Sequence, residues 1–222
     1  MRKEVFFGLF GLIGISSLAF NRINKKKDAE TIGDYLGMGM DGISYDLPNG
    51  KVLKIIDLKE NIGTLDEKQE LATFMNYYAI MTENGTLKPN KHLPTIYFFQ
   101  AGYANRQLEE EILDEMPNDA WRNNIIEYNT PVAMWVVDKY DDWNDEDYSH
   151  PKYRIGSIAH KEDLDEARNN LMNWFEENNL GVIDDLHIDN YGFDDKGNIV
   201  FFDFGVRLPL NGSELTRKIL DS

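Results

Sequence analysis

Near its carboxy-terminal end the chain places Asp185, an amide five residues on at Asn190, and Asp203 in an Asp203-Phe204-Gly205 triplet behind a short hydrophobic run. All three offer hard oxygen atoms. A carboxylate that can orient a hydroxyl, beside two oxygen ligands for a hard divalent cation, is what phosphoryl transfer requires, because that chemistry rests on positioning and charge neutralisation. A lone Asp-Phe-Gly is weak, since such triplets often just mark a turn after a strand. Asp194-Asp195-Lys196-Gly197 reads as an acidic turn of this ordinary kind. Two motifs in order and at this spacing carry more than either alone.

A second group of candidates lies upstream. Gly37, Gly39 and Gly42 stand in G-x-G-x-x-G spacing, where missing side chains let backbone N–H groups approach phosphate oxygens. A dinucleotide fold would need a long helix directly afterwards. Here Pro48-Asn49-Gly50 separates two short alternating runs instead, and Asn-Gly between β-prone segments predicts a hairpin with strands near 42–47 and 51–57. Lys54 lies in the second of these, within Val52-Leu53-Lys54-Ile55, and an ammonium in an apolar strand needs a partner. Glu70 on the following helix is the expected carboxylate, with Glu67 one turn earlier as the substitute and plain helix-surface charge as the bland alternative.

In this order the motifs resemble the catalytic loop, metal-binding triplet and nucleotide-binding lobe of the protein-kinase-like superfamily. The Asp185-Leu186-His187-x-x-Asn190 form is similar to the branch that holds aminoglycoside phosphotransferases and atypical kinases. The resemblance covers roughly residues 31 to 205. It implies ATP and Mg²⁺ as cofactors, Asp185 as catalytic base, Asn190 and Asp203 as Mg²⁺ ligands, and Lys54, supported by Glu70, as the lysine of the α- and β-phosphates. Gly37, Gly39 and Gly42 would cover the phosphates. His92-Leu93-Pro94-Thr95-Ile96 is similar to the lead-in to the family's fourth strand, and Trp135 to Tyr140 to its hinge, which makes Asp138 and Tyr140 nucleotide contacts. Ile183 departs from the pattern, where the family has a structural His two residues before its catalytic Asp. About seventeen residues follow Gly205, with no Ala-Pro-Glu motif, so no activation loop is expected and the acceptor platform must be small or supplied by something else. His187 reads as a neighbour of the ligands rather than a ligand, because nothing nearby completes a soft metal site.

Elements able to hold these residues can be read from periodicity. Leu71, Phe74, Met75, Tyr78 and Met81 recur at helical spacing in Leu65 to Met81, and Leu164, Ala167, Leu171, Trp174 and Phe175 do so in Glu162 to Leu180, closed by Asn178, Asn179 and Gly181. Thr95 to Phe99 and Val132 to Tyr140 read as strands, the latter a near-continuous apolar run suited to burial on both faces. Gly181 to Ile183 and Ile199 to Phe202 are two further strand-like pieces. Residues 104 to 130 are polar and read as partly helical, and Asp138 to Asp147 is too polar for an element and reads as an exposed connection. Together with the resemblance these predict an α+β, two-lobed protein-kinase-like fold. Residues 1–29 would be an apolar segment and basic tether, 30–140 a nucleotide-binding lobe with an antiparallel sheet and one helix, and 141–222 a reduced, mainly helical catalytic lobe.

With 222 residues, 42% of them hydrophobic, the chain can bury one core region of this size. Asp and Glu number 39 against 23 Lys and Arg, and the net charge of -16 repels phosphodiester backbones, so no nucleic-acid partner is expected. The same field suits a cationic acceptor, although a solvated acidic surface is the commoner explanation and the one favoured here. Without cysteine there is neither disulfide framework nor thiolate chemistry. Val5 to Phe20 is uncharged and spans about 24 Å as a helix, short for a ~30 Å hydrocarbon core. A membrane anchor, a signal peptide and a docked helix are its three readings. If it is an anchor, the lysines after it leave the remainder on the cytoplasmic side. The expected function is phosphoryl transfer from ATP to a hydroxyl, as a protein serine/threonine kinase-like enzyme. The alternatives are a small-molecule kinase of the aminoglycoside type, or a pseudokinase serving as a nucleotide-binding scaffold.

Overall fold

The computed structural model describes residues 35–39, 42–47, 50–58, 67–106, 109, 126–142, 152–187 and 190–209. The apolar segment at Val5 to Phe20, most of the polar stretch 104 to 130 and the acidic run beyond Asp142 lie outside them. Among the described residues no helix is long and apolar enough to cross a membrane.

The described residues make an α+β structure. Strands β1 (Tyr35–Gly39), β2 (Gly42–Leu47), β3 (Lys51–Asp57), β4 (Phe98–Tyr103) and β5 (Pro131–Asp138) form one antiparallel sheet in the order β1-β2-β3-β5-β4. Alternation sets its faces. Ile43, Tyr45, Leu47, Leu53, Ile55, Val132 and Met134 point to one side, where Ala104 and Ile126 complete a buried cluster. β5 lies between β3 and β4, and Val132, Ala133, Met134 and Trp135 are all buried, as its continuous apolar sequence requires. Gly50 turns the β2–β3 hairpin at φ +66, the left-handed region that its Asn-Gly signal predicts.

Helix α1 (Glu67–Glu83) follows β3 and is fastened to its end by Lys68 Nζ to Asp57 Oδ1 at 2.6 Å and Gln69 Nε2 to the Leu58 carbonyl at 3.2 Å. The chain then divides into two compact units, one holding Ile96–Lys139 with everything up to Asn76, the other Tyr77–Thr95 with everything from Tyr140 on.

The second unit contains β6 (Asp141–Asp142), α2 (Ile158–Glu177), β7 (Val182–Asp184), β8 (Tyr191–Phe193), β9 (Ile199–Phe201) and β10 (Gly205–Arg207). Strands β6, β8 and β9 form one small antiparallel sheet, and β7 pairs with β10 in another. Leu164, Ala167, Leu171 and Phe175 are the buried stripe of α2, which packs on β7 and β9. Ser157 caps its start by accepting from the His160 amide at 3.2 Å. Asn178 donates to the Trp174 carbonyl at 2.7 Å at its end, before Asn179 and Gly181 turn the chain at φ +53 and +91. Asp194 forms the expected turn, its carboxylate accepting from the amides of Lys196 and Asn198 at 2.9 and 2.7 Å.

Three expectations need correction. β4 begins at Phe98, not Thr95: upstream, His92 is held by β9, its carbonyl accepting from Phe201 N at 3.0 Å and its Nδ1 donating to the Ile199 carbonyl at 2.7 Å, and the chain joins β5 only from Tyr97, whose amide donates to the Val136 carbonyl at 2.9 Å. Asp141 and Asp142 form a strand despite their charge, since β8 offers them backbone partners at Phe193 and Gly192. Finally, α2 begins before Glu162, at Ile158, where Ser157 supplies the cap.

Candidate active site

In the second unit Asp185, Asn190 and Asp203 are held by one loop and two strand ends. β7 ends at Asp184, and Asp185 then takes a left-handed backbone, φ +60. Asp enters this region more readily than most side chains, and here hydrogen bonds from its neighbours fix it there. The Asp185 carbonyl accepts from Asn190 Nδ2 at 2.8 Å and from the His187 amide at 2.9 Å, and the His187 carbonyl in turn accepts from the Asn190 amide at 3.2 Å. Arg168 on α2 donates its Nε to the Leu186 carbonyl at 2.6 Å and pins the loop from outside. Nothing in the sequence marks this role for Arg168, which sits on a helix among other charges.

Asn190 joins the two motifs. Its side-chain nitrogen reaches Asp185 Oδ2 at 3.2 Å as well as the Asp185 carbonyl, so of the carboxamide's two ends it is the oxygen that could serve a hard cation. Its own carbonyl accepts from Phe202 N at 3.1 Å and Asp203 N at 3.3 Å. Asp203 is therefore tied through the backbone to the residue that grips Asp185. The β7–β10 pair adds a second tie, because Gly205 lies opposite Asp184 and Val206 opposite Ile183. Ile183 is buried in this ladder, where an apolar side chain fits.

His187 stands beside the carboxylate, its Nε2 2.8 Å from Asp185 Oδ1 and 3.4 Å from Asn190 Nδ2. Both side chains are about half exposed, His187 at 53% and Asp185 at 48%. Among the described residues no group of three His, Asp or Glu side chains forms a metal cluster. The ligand pair expected here is one carboxylate and one amide.

In the first unit, Gly37 and Gly39 lie on β1 and Gly42 opens β2, with Gly39 paired to Gly42 as the last rung of the hairpin. A side chain at Gly42 would meet the Ile55 carbonyl at 2.4 Å, so close approach of β3 demands glycine there. Nothing lies within 4 Å of where a Cβ on Gly37 would stand. Lys54 is half-buried on β3, with Ser44 and Trp135 as its cross-strand neighbours. Glu70 is half-buried in the first turn of α1, whereas Glu67 is exposed.

Asp138 ends β5, and its carboxylate is engaged within the sheet: Lys51 Nζ bonds it, and Tyr97 donates its hydroxyl to it at 3.1 Å. The Lys51 ammonium also lies 3.6 Å from the centre of the Tyr97 ring. Partial burial pulls the Lys51 pKa down, but the hydrogen bonds and charge of Asp138 and Tyr97 outweigh it and hold the ammonium above the usual lysine value. Tyr140 lies in the connection from β5 to β6, half-buried.

Compared with known proteins, the chain matches no family model and no curated protein.

Proposed function

We propose that the chain is a compact phosphotransferase of protein-kinase-like, two-lobed form, which binds ATP with Mg²⁺ and moves the γ-phosphoryl group to a hydroxyl. The observation that carries this reading is the Asn190 carboxamide, whose nitrogen holds the left-handed Asp185 while its backbone holds Asp203. What supports the reading is that one residue, Asn190, ties the Asp185 carboxylate by its side chain to the Asp203 amide by its carbonyl.

The residues present suit Mg²⁺, since Asn190 Oδ1 and the Asp203 carboxylate are hard oxygen donors of the type it selects. When bound, the ion would neutralise charge on the phosphates. Asp185 orients the acceptor hydroxyl and takes its proton as that oxygen bonds to the γ-phosphorus and the bond to the β–γ bridging oxygen breaks. Lys54 supplies positive charge to the α- and β-phosphates, and the open space at Gly37 admits an approaching phosphate to the backbone. By the resemblance, Asp138 and Tyr140 would be the residues that meet the base of the nucleotide.

The acceptor we favour is a protein hydroxyl, with a cationic small molecule as the alternative; the net charge of -16 suits a cationic acceptor of either kind. Incubating the full chain with Mg²⁺ and γ-labelled ATP, alone, with basic proteins and with aminoglycosides, tests the reading. Label transfer that is lost in Asp185→Ala and Asp203→Ala is the expected result. Tight MgATP binding without transfer would make the chain a nucleotide-binding scaffold, and transfer that survives either substitution would overturn the site.

A further inference from the structure

We infer that His187 is a positioning residue for Asp185, holding the carboxylate plane so that its free lone pairs face the acceptor hydroxyl; this rests on the phosphotransferase reading above.

A half-exposed carboxylate on a short side chain rotates readily in water. Here each oxygen has its own donor: Oδ1 lies 2.8 Å from His187 Nε2, and Oδ2 lies 3.2 Å from Asn190 Nδ2. Two donors on two different oxygens fix the plane, where one would leave a hinge. Each oxygen keeps a second lone pair for a hydroxyl. The contact with Oδ1 requires a hydrogen on Nε2, so the 3.4 Å approach of Asn190 Nδ2 to the same atom is no hydrogen bond, and Asn190 stays committed to Asp185.

The loop delivers His187 to this place by design of its backbone. The His187 amide donates to the Asp185 carbonyl at 2.9 Å, which closes a tight turn over Leu186, and Arg168 fixes the Leu186 carbonyl at 2.6 Å. The left-handed φ of +60 at Asp185 is what folds the His187 ring back over the carboxylate. A half-exposed imidazole held this way adds little to the stability of the fold. Its effect falls on orientation, and loss of alignment at a reacting group can cost about 100-fold in rate.

The test has two independent arms on the full chain. ¹⁵N-histidine NMR should show one ring in the Nε2–H form that disappears in His187→Leu and changes in Asp185→Leu; a His187 signal indifferent to Asp185→Leu would overturn the pairing whether or not the chain turns over. In steady-state transfer from MgATP, His187→Leu should lower kcat about 10- to 100-fold with KM for ATP and melting temperature unchanged. His187→Gln, which keeps an N–H at similar reach, should recover most of that rate. Equal kcat in the Leu and Gln variants, or a kcat within twofold of wild type in both, overturns the role. A wild-type chain that transfers nothing in any acceptor mixture refutes the phosphotransferase reading and the positioning role with it, and the NMR arm then still reports on the pair itself.

Discussion

Gly205 faces Asp184 across the β7–β10 pair so closely that a Cβ on Gly205 would stand 2.0 Å from Asp184 Oδ1. The glycine of the Asp203-Phe204-Gly205 triplet is thus required by close approach, since its φ is not in the left-handed region. Asp184 also pairs with Arg207 Nε at 3.0 Å, and swinging its carboxylate away to admit a methyl would break that contact. Gly205→Ala should cost about 1 kcal/mol in urea unfolding, the scale of a lost polar contact with some overpacking. In an Asp184→Ala background the same substitution should cost almost nothing, because the obstructing atom is gone. Equal costs in both backgrounds would show that the backbone, not Asp184, sets the constraint.

Asn190 offers a sharper contrast between two substitutions. Asn190→Ala removes one of the two donors to the Asp185 carbonyl, which keeps the His187 amide, so the expected loss is about 1 kcal/mol. Asn190→Asp removes the same donor and sets a second carboxylate against Asp185 Oδ2, now 3.2 Å away. Chemical denaturation at pH 7 should therefore rank the Asp variant below the Ala variant. If nearly isosteric Asp proves the milder change, the amide nitrogen does not face Asp185.

Lys54 and Lys51 lie on one strand and should separate binding from stability. Lys54 is the residue we assign to the phosphates, and Lys54→Met should weaken MgATP binding at least tenfold in calorimetry, about 1.4 kcal/mol. Lys51 is held by Asp138 and stacked on Tyr97. Lys51→Met should instead lower unfolding stability by about 1 kcal/mol, the size of a well-made but partly solvated ion pair. A tenfold loss of nucleotide binding in Lys51→Met but not in Lys54→Met would exchange their roles.

Next to Asn190, Tyr191 begins β8 with its hydroxyl 2.6 Å from Nε2 of the buried His160. His160 Nδ1 accepts from the Gly156 amide at 2.9 Å, so this ring is neutral and carries its hydrogen on Nε2. Tyr191→Phe leaves that N–H without its phenol oxygen and should cost about 1–3 kcal/mol. Replacing both, as Tyr191→Phe with His160→Leu, should cost less than the two single changes added together, because no orphaned polar group remains. Strict additivity in thermal unfolding would dissolve the pair.

Much of this was legible in the sequence where the signals are local. The Asn-Gly turn and the alternation around it located β2 and β3, and the helical stripe of Leu164, Ala167, Leu171 and Phe175 located the body of α2. The order of Gly37, Gly39, Gly42, Lys54, Asp185, Asn190 and Asp203 was likewise visible. What stayed hidden depends on partners distant in the chain. His92 and Asp141 are placed by hydrogen bonds to β9 and β8 that no window of neighbouring residues contains. The contact of His187 with Asp185 depends on a left-handed Asp, and no residue type announces that. Arg168 acts through a backbone carbonyl, the least sequence-specific of partners.

His92 makes stability depend on pH in a direction that can be fixed in advance. Burial disfavours the imidazolium and pushes its pKa below the ordinary 6.5, while the Nδ1 donation to the Ile199 carbonyl works the other way and does not prevail. The unfolded chain then binds a proton near pH 6.5 that the folded chain refuses. Stability gains from this residue are present above that pH and are lost as pH falls below it, until the folded state also takes the proton. His92→Asn keeps an N–H toward the Ile199 carbonyl and removes the titration. Its urea midpoint should be lower than wild type at pH 7 from lost packing, yet fall less between pH 7 and pH 5. Parallel declines in the two proteins would place the acid sensitivity in other groups.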